Sequence, residues 1–139
     1  MATGYRNVFI AVAPDCPADT GVVPDRSASI AGIEYILLSA NPYRFTGEDL
    51  ILAVHARHKR IADADIGTFK IALFSNPHPC LRASMLPKRY GWGAHYDANG
   101  RIALYGVETD DYRQLTSQSN VRIIPAMRNR RPSVPRRGL

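Results

Sequence analysis

Acidic residues stop at Asp111, cysteine occurs only at positions 16 and 80, and long apolar runs are missing altogether. No stretch approaches the roughly 18 apolar residues that span a bilayer, so no transmembrane helix is expected. Met1 to Ile10 has no succession of charged, apolar and small-residue zones, so no secretory leader is expected. Cys16 and Cys80 are too few for a disulfide framework, and the expected setting is a reduced cytoplasm without membrane partners. Glycine-rich phosphate loops, a nucleophile elbow and paired carboxylates are absent too, so the familiar enzyme signatures are missing. No repeat or linker interrupts the chain before its end.

What is present suits one globular domain. The 139 residues are 45% hydrophobic and 22% charged, enough to bury a core. The formal charge of +6 is unevenly placed. Residues 1–127 carry 13 cations against 12 anions, a net of +1, while Arg128, Arg130, Arg131, Arg136 and Arg137 follow with no acid among them. The expected division is a globular domain over residues 1–127 and a basic, flexible tail over 128–139. Such a tail can bind nucleic acid by counterion release. A polyanion footprint usually marks the fold as well, so nucleic acid is not the favoured partner.

Asn7 to Ala13 is β-prone and nearly all apolar, which predicts a strand covered on both faces. Pro14 to Asp25 reads as a loop. A first helix is expected from Ser29 as N-cap, presenting Ile30, Ile33 and Leu37, and ending at Asn41-Pro42. Thr46-Gly-Glu-Asp49 is close to a capping box and predicts a second helix to about Arg60, packing Leu50, Ile51 and Val54. Ile66 to Phe74 fits both helical and alternating spacing, with helix preferred. Cys80 to Ser84, Trp92 to Tyr96, Arg101 to Val107 and Val121 to Ile124 are expected strands, the last before Pro125 and suited to an edge. Thr109 caps a further helix. The expected fold is α+β: a small single domain with a mainly antiparallel sheet of four or five strands, packed with two to four helices.

Asp97-Ala-Asn-Gly100 admits two hairpin registers. Asn99-Gly100 as a two-residue loop pairs Trp92 with Val107. A type I turn opened by Asp97, with Gly100 in the left-handed position of a G1 bulge, instead puts Trp92, Ala94, Tyr96, Ile102 and Leu104 on one face. The bulge is preferred because it segregates the apolar side chains.

In that register Gly93, His95, Arg101, Ala103 and Tyr105 share the other face. If Cys80–Ser84 pairs alongside, Cys80 and Arg82 join them, with Lys88 and Arg89 at the rim. Arg82, Lys88, Arg89, His95, Arg101 and Tyr105 are therefore the candidate binding residues for a small anionic ligand or acidic partner. A solvated or helix-covered polar face is the plainer account of the same alternation.

Cys80 with His78 or His95 invites a thiolate nucleophile, although a packed cysteine is the plainer account. His55 and His58 are three apart, but a zinc site needs three or four ligands, and the surrounding Arg57, Lys59 and Arg60 repel cations. No metal or cofactor is implied. Trp92 between Gly91 and Gly93 suits either a stacking platform or the core.

Phe9 to Pro17, Asn41 to Thr46, and Cys80-Leu-Arg-Ala-Ser with Lys88-Arg-Tyr-Gly-Trp-Gly, His95, Asp97, Gly100 and Ile102-Ala-Leu-Tyr105 carry a resemblance. Together they resemble an uncharacterised bacterial family, domain of unknown function 6157, over about Tyr5 to Arg131. Lys88 to Gly93 is its most specific segment. The resemblance implies a cytoplasmic, free-standing single domain and carries no activity, cofactor or catalytic residue. Met85 departs from the family pattern, which has proline there.

The favoured expectation is a non-enzymatic binding or accessory domain. The alternatives are an enzyme using Cys80 or His95 on an anionic substrate, and nucleic-acid binding through the arginine tail. An exposed edge strand would also leave homodimerisation open.

Overall fold

A computed structural model describes residues 4–130. Its central strand is β1 (Val8–Ala11), four residues of the expected apolar run. Phe9 and Ile10 are fully buried although they point to opposite faces, so layers cover the sheet on both sides. β2 (Trp92–Tyr96) and β3 (Ile102–Gly106) form a hairpin, and β4 (Arg122–Pro125) closes the sheet in the order β3-β2-β1-β4. β2 runs antiparallel to both neighbours and β4 parallel to β1. The fold is a small, mostly antiparallel α+β domain.

The hairpin adopts the bulged register. Tyr96 pairs with Ile102 and Trp92 with Gly106. Gly100 N–H donates to the Asp97 carbonyl at 3.0 Å, and Gly100 sits at φ 77°. Glycine tolerates that left-handed backbone, while Asp97 Oδ1 accepts from the N–H groups of Asn99 and Arg101.

Helices α1 (Ile30–Ala40) and α2 (Gly47–His58) cover one face. Ser29 caps α1 through Gly32 N–H, and Thr46 with Asp49 completes a reciprocal capping box on α2. Ile33, Leu38, Leu50 and Val54 meet Val8, Ile10, Ala94, Tyr96 and Ile102 in the larger core. α3 (Ile66–Leu73) extends this layer, resolving the ambiguous segment as helix. On the opposite face α5 (Asp110–Ser117) packs Tyr112 and Leu115 around Phe9. Among the described residues no helix is long and apolar enough to cross a membrane.

One expectation is corrected here. Cys80–Ser84 is not a strand: Leu81–Ala83 is a 3-10 turn, followed by a fifth helix, α4 (Met85–Arg89), beyond the two to four expected. Ser84 closes the turn and caps α4 through Leu86 N–H at 3.1 Å, so backbone partners are found locally rather than across a sheet. The chain is also held beyond Met127. Asp15 accepts hydrogen bonds from the N–H groups of Asn129 and Arg130, and Asn129 donates to the Lys88 carbonyl. Those bonds, the Asn129 N–H foremost, hold the Asp15 carboxyl below its ordinary range. The rest of the arginine tail, with Arg131, Arg136 and Arg137, lies outside the described residues.

Both sheet edges are blunted. Tyr43, at φ 59°, turns the chain after α1 so that residues 43–45 run along β3, with Tyr43 N–H donating to Ile102 and Ile102 N–H to Phe45. At β4 the outward-facing Pro125 lacks an N–H, and Arg82 Nε donates to its carbonyl at 3.0 Å.

Met85 stands at the first helical position of α4, behind an extended Ser84 (φ −71°, ψ 145°). Proline favours that position and demands an extended predecessor. Met85→Pro is therefore expected to stabilise the domain by about 0.4–1 kcal/mol, chiefly by restricting the unfolded chain. A fall in the urea midpoint would show that the turn must flex.

Candidate functional site

α1, α2 and the segment joining α3 to α4 do not close completely on one another. Between them lies a partly enclosed cavity of about 210 Å³. Ile30 from α1, Leu50, Ile51 and Val54 from α2, and Leu81 from the 3-10 turn make its walls apolar. Tyr96 closes its floor from the sheet. The polar lining is Glu34, His55, His78, Cys80 and Ser84, with no lysine or arginine.

Glu34 is the only charged residue of α1. Ile30, Glu34 and Leu38 are four apart and so lie along one helical face, which turns the carboxyl into the cavity. Ser84 Oγ donates to Glu34 Oε1 at 2.7 Å. Oε2 has no hydrogen bond among the described residues, yet it is not sealed from solvent. Burial among apolar walls pushes the Glu34 carboxyl up to about 7, and the Ser84 hydrogen bond offsets this only in part. Its side chain keeps some surface exposure because it borders an open cavity.

The two histidines are held differently. His78 Nε2–H donates to the Leu73 carbonyl at 2.6 Å, closing the end of α3. His55 lies with its ring centre 5.3 Å away. Burial first, then His78, holds His55 below its ordinary range, so it stays neutral near pH 7. Cys80 Sγ approaches Tyr5 OH at 3.8 Å and contacts no imidazole within hydrogen-bonding distance among the described residues. Burial raises Tyr96 and Tyr5, which therefore remain protonated phenols.

The residues expected to form one anion-binding face are dispersed. His95 and Tyr105 do come together on the α5 side of the sheet, joined by Tyr43. Its hydroxyl lies 2.8 Å from His95 Nδ1 and 2.6 Å from Tyr105 OH. Burial holds His95 below its ordinary range, and the Tyr43 hydroxyl links its Nδ1 to the Tyr105 hydroxyl. Arg82 is absent from that face because residues 80–84 form a turn, and its guanidinium is engaged at β4. Lys88 and Arg89 end α4, which packs against β2 and α1. Arg101 is exposed where the hairpin bridges to Thr46.

Cys80 and His95 cannot act together. Cys80 lines the cavity beneath Tyr96, and His95 follows the opposite alternation in β2. His58 is exposed while His55 faces the cavity, and no group of three or more His, Cys, Asp or Glu side chains among the described residues could hold a metal ion. Trp92 resolves to the core side of β2. Its indole N–H donates to the Val22 carbonyl at 2.8 Å, and its ring covers Gly21 and meets Tyr35.

Residues 1–132 match the model of DUF6157, a family of unknown function. The chain belongs to this family. No curated protein and no solved structure matches it. In this DUF6157 chain, the Lys88–Gly93 segment that carried the resemblance builds the end of α4 and the start of β2. Its Trp92 clamps Gly21 and Val22 of the preceding loop, and Gly93 leaves space for Phe9 and Tyr112. That segment thus serves the fold, while the cavity is lined by residues outside it.

Proposed function

We propose that the protein is a binding domain for a small, largely apolar molecule that enters the cavity between α1 and α2. One observation carries this reading: an open apolar cavity of about 210 Å³ receives a carboxyl oxygen that the protein leaves without a partner. Apolar walls with a few convergent polar groups are the usual make-up of a small-ligand site. A dry cavity of roughly 150 Å³ can hold benzene, so this one suits a ligand of about ten heavy atoms. The two free cysteines, Cys16 and Cys80, support a cytoplasmic setting.

The test is a ¹⁵N-resolved titration with neutral apolar fragments such as benzyl alcohol and indole. Saturable shifts are expected at Ile30, Leu50, Val54 and Leu81. The variant Ile51→Phe enlarges a half-buried wall residue and is expected to weaken them at least tenfold while the protein remains folded. Absence of shifts at these residues, or equal binding by Ile51→Phe, would reject the reading.

A further inference from the structure

We infer that the ligand of this cavity is a small apolar amine, its ammonium paired with Glu34 Oε2 and its hydrocarbon body against Ile30, Leu50, Ile51 and Val54. The inference rests on the small-molecule reading above and adds the ligand's charge.

Three observations favour a cation over other head groups. The cavity carries one carboxyl and no lysine or arginine, so an anionic ligand would meet Glu34 with nothing to neutralise either charge. Ser84 occupies Oε1 and orients the group, leaving Oε2 as a free acceptor. The other titratable neighbours do not compete for that acceptor. His78 commits its Nε2–H to Leu73, His55 stays neutral, and Cys80 lies against Tyr5. Tyr96 on the floor is held as a neutral phenol, so its ring adds an electron-rich wall without a charge.

Binding should be proton-linked. An alkylammonium remains charged up to about pH 10, whereas Glu34 changes state near 7. Below that point the amine must displace a proton from the carboxyl, which leaves the protein for solvent as the ion pair forms. The competent, ionised fraction of the site falls roughly tenfold between pH 8 and pH 6, and the apparent Kd should weaken by the same factor. Protonation of His55 at lower pH would add a cation to the wall and push in the same direction.

The experiment titrates the full chain and Glu34→Gln with benzylamine, benzyl alcohol and benzoate at pH 6 and pH 8, reading cavity-residue shifts. Benzylamine is expected to bind about tenfold more tightly at pH 8 and to lose at least tenfold in Glu34→Gln. Benzyl alcohol, which carries no charge, is expected to lose far less than benzylamine in Glu34→Gln. If benzyl alcohol reaches the cavity but benzylamine gains nothing from Glu34, the amine inference is overturned and the binding-domain reading stands. Preference for benzoate overturns it as well. If none of the three perturbs the cavity, both readings fall together. Circular dichroism of Glu34→Gln confirms that any loss is not unfolding, since the amide keeps the Ser84 acceptor.

Discussion

Phe9→Ala is expected to cost the folded state about 3–5 kcal/mol, a large share of the stability of a domain this size. Phe9 is fully buried in the central strand and anchors the smaller core, whose other buried members among the described residues are Tyr112, Leu115 and Val121. Its ring meets Tyr112 edge-on, with centroids 4.8 Å apart and planes at 83°. Tyr112 in turn ties α5 to the sheet by accepting from Val12 N–H at 2.9 Å. Gly93 makes the arrangement possible: a Cβ there would collide with Phe9 Cζ and lie 2.7 Å from Tyr112 Cε2. Gly93→Val should therefore cost about 1–3 kcal/mol by overpacking. Combined with Phe9→Ala it should cost less than the sum, because the added methyls enter the vacated space. Urea unfolding measures all three, and hydrogen exchange should show α5 losing protection first. A Phe9→Ala loss below 1 kcal/mol would mean that α5 is held by other contacts.

The dependence of α5 on Phe9 was legible in the chain only in outline. The run from Asn7 to Ala13 announced a strand buried on both faces, and the Thr109 cap announced α5. Gly93 gave no sign that it was making room for an aromatic pair from two other elements. The hairpin was more transparent because register is a local problem. Asp97 and Gly100 specify the bulge, and a one-residue slip would have turned Tyr96 and Ile102 out of the core.

Cys80 to Ser84 shows where alternation misleads. Leu81 and Ala83 face one way in a strand, but a single buried anchor satisfies a 3-10 turn equally well, and here Leu81 is that anchor. Pro77, Pro79 and Pro87 flank the segment and remove N–H groups that a sheet would need. Ala83 and Ser84 instead donate to Cys80 and Leu81 within the turn. The turn places Cys80 and Arg82 away from the face that carries His95 and Tyr105. The signal that was available lay elsewhere. A solitary carboxylate in Ile30-Ala-Gly-Ile-Glu-Tyr-Ile-Leu-Leu38, four residues from Ile30 and from Leu38, cannot reach bulk water as an ordinary surface acid does. What no local pattern could reveal is the hydroxyl that meets it, since Ser84 arrives from 50 residues away.

The burial of Glu34 has a consequence for stability that needs no ligand. Folding raises its affinity for a proton from the ordinary 4.5 to about 7. Between those values the folded protein holds a proton that the unfolded chain has released. Stability at this group is therefore intact below the unfolded value, falls as pH climbs through the window, and carries its full penalty above about pH 7. Glu34→Gln removes the titration while preserving an acceptor for Ser84. The variant should match wild type near pH 4 and exceed it by about 1–2 kcal/mol at pH 8, a figure reduced from the full shift because the carboxyl borders solvent in the cavity. Urea midpoints at the two pH values decide it. A difference independent of pH would show that the carboxyl ionises freely in the folded state, and the case for a charge-selective cavity would lose its energetic basis. A difference that grows with pH would mean that an ionised Glu34 is a strain the empty protein tolerates, and a bound cation would relieve it.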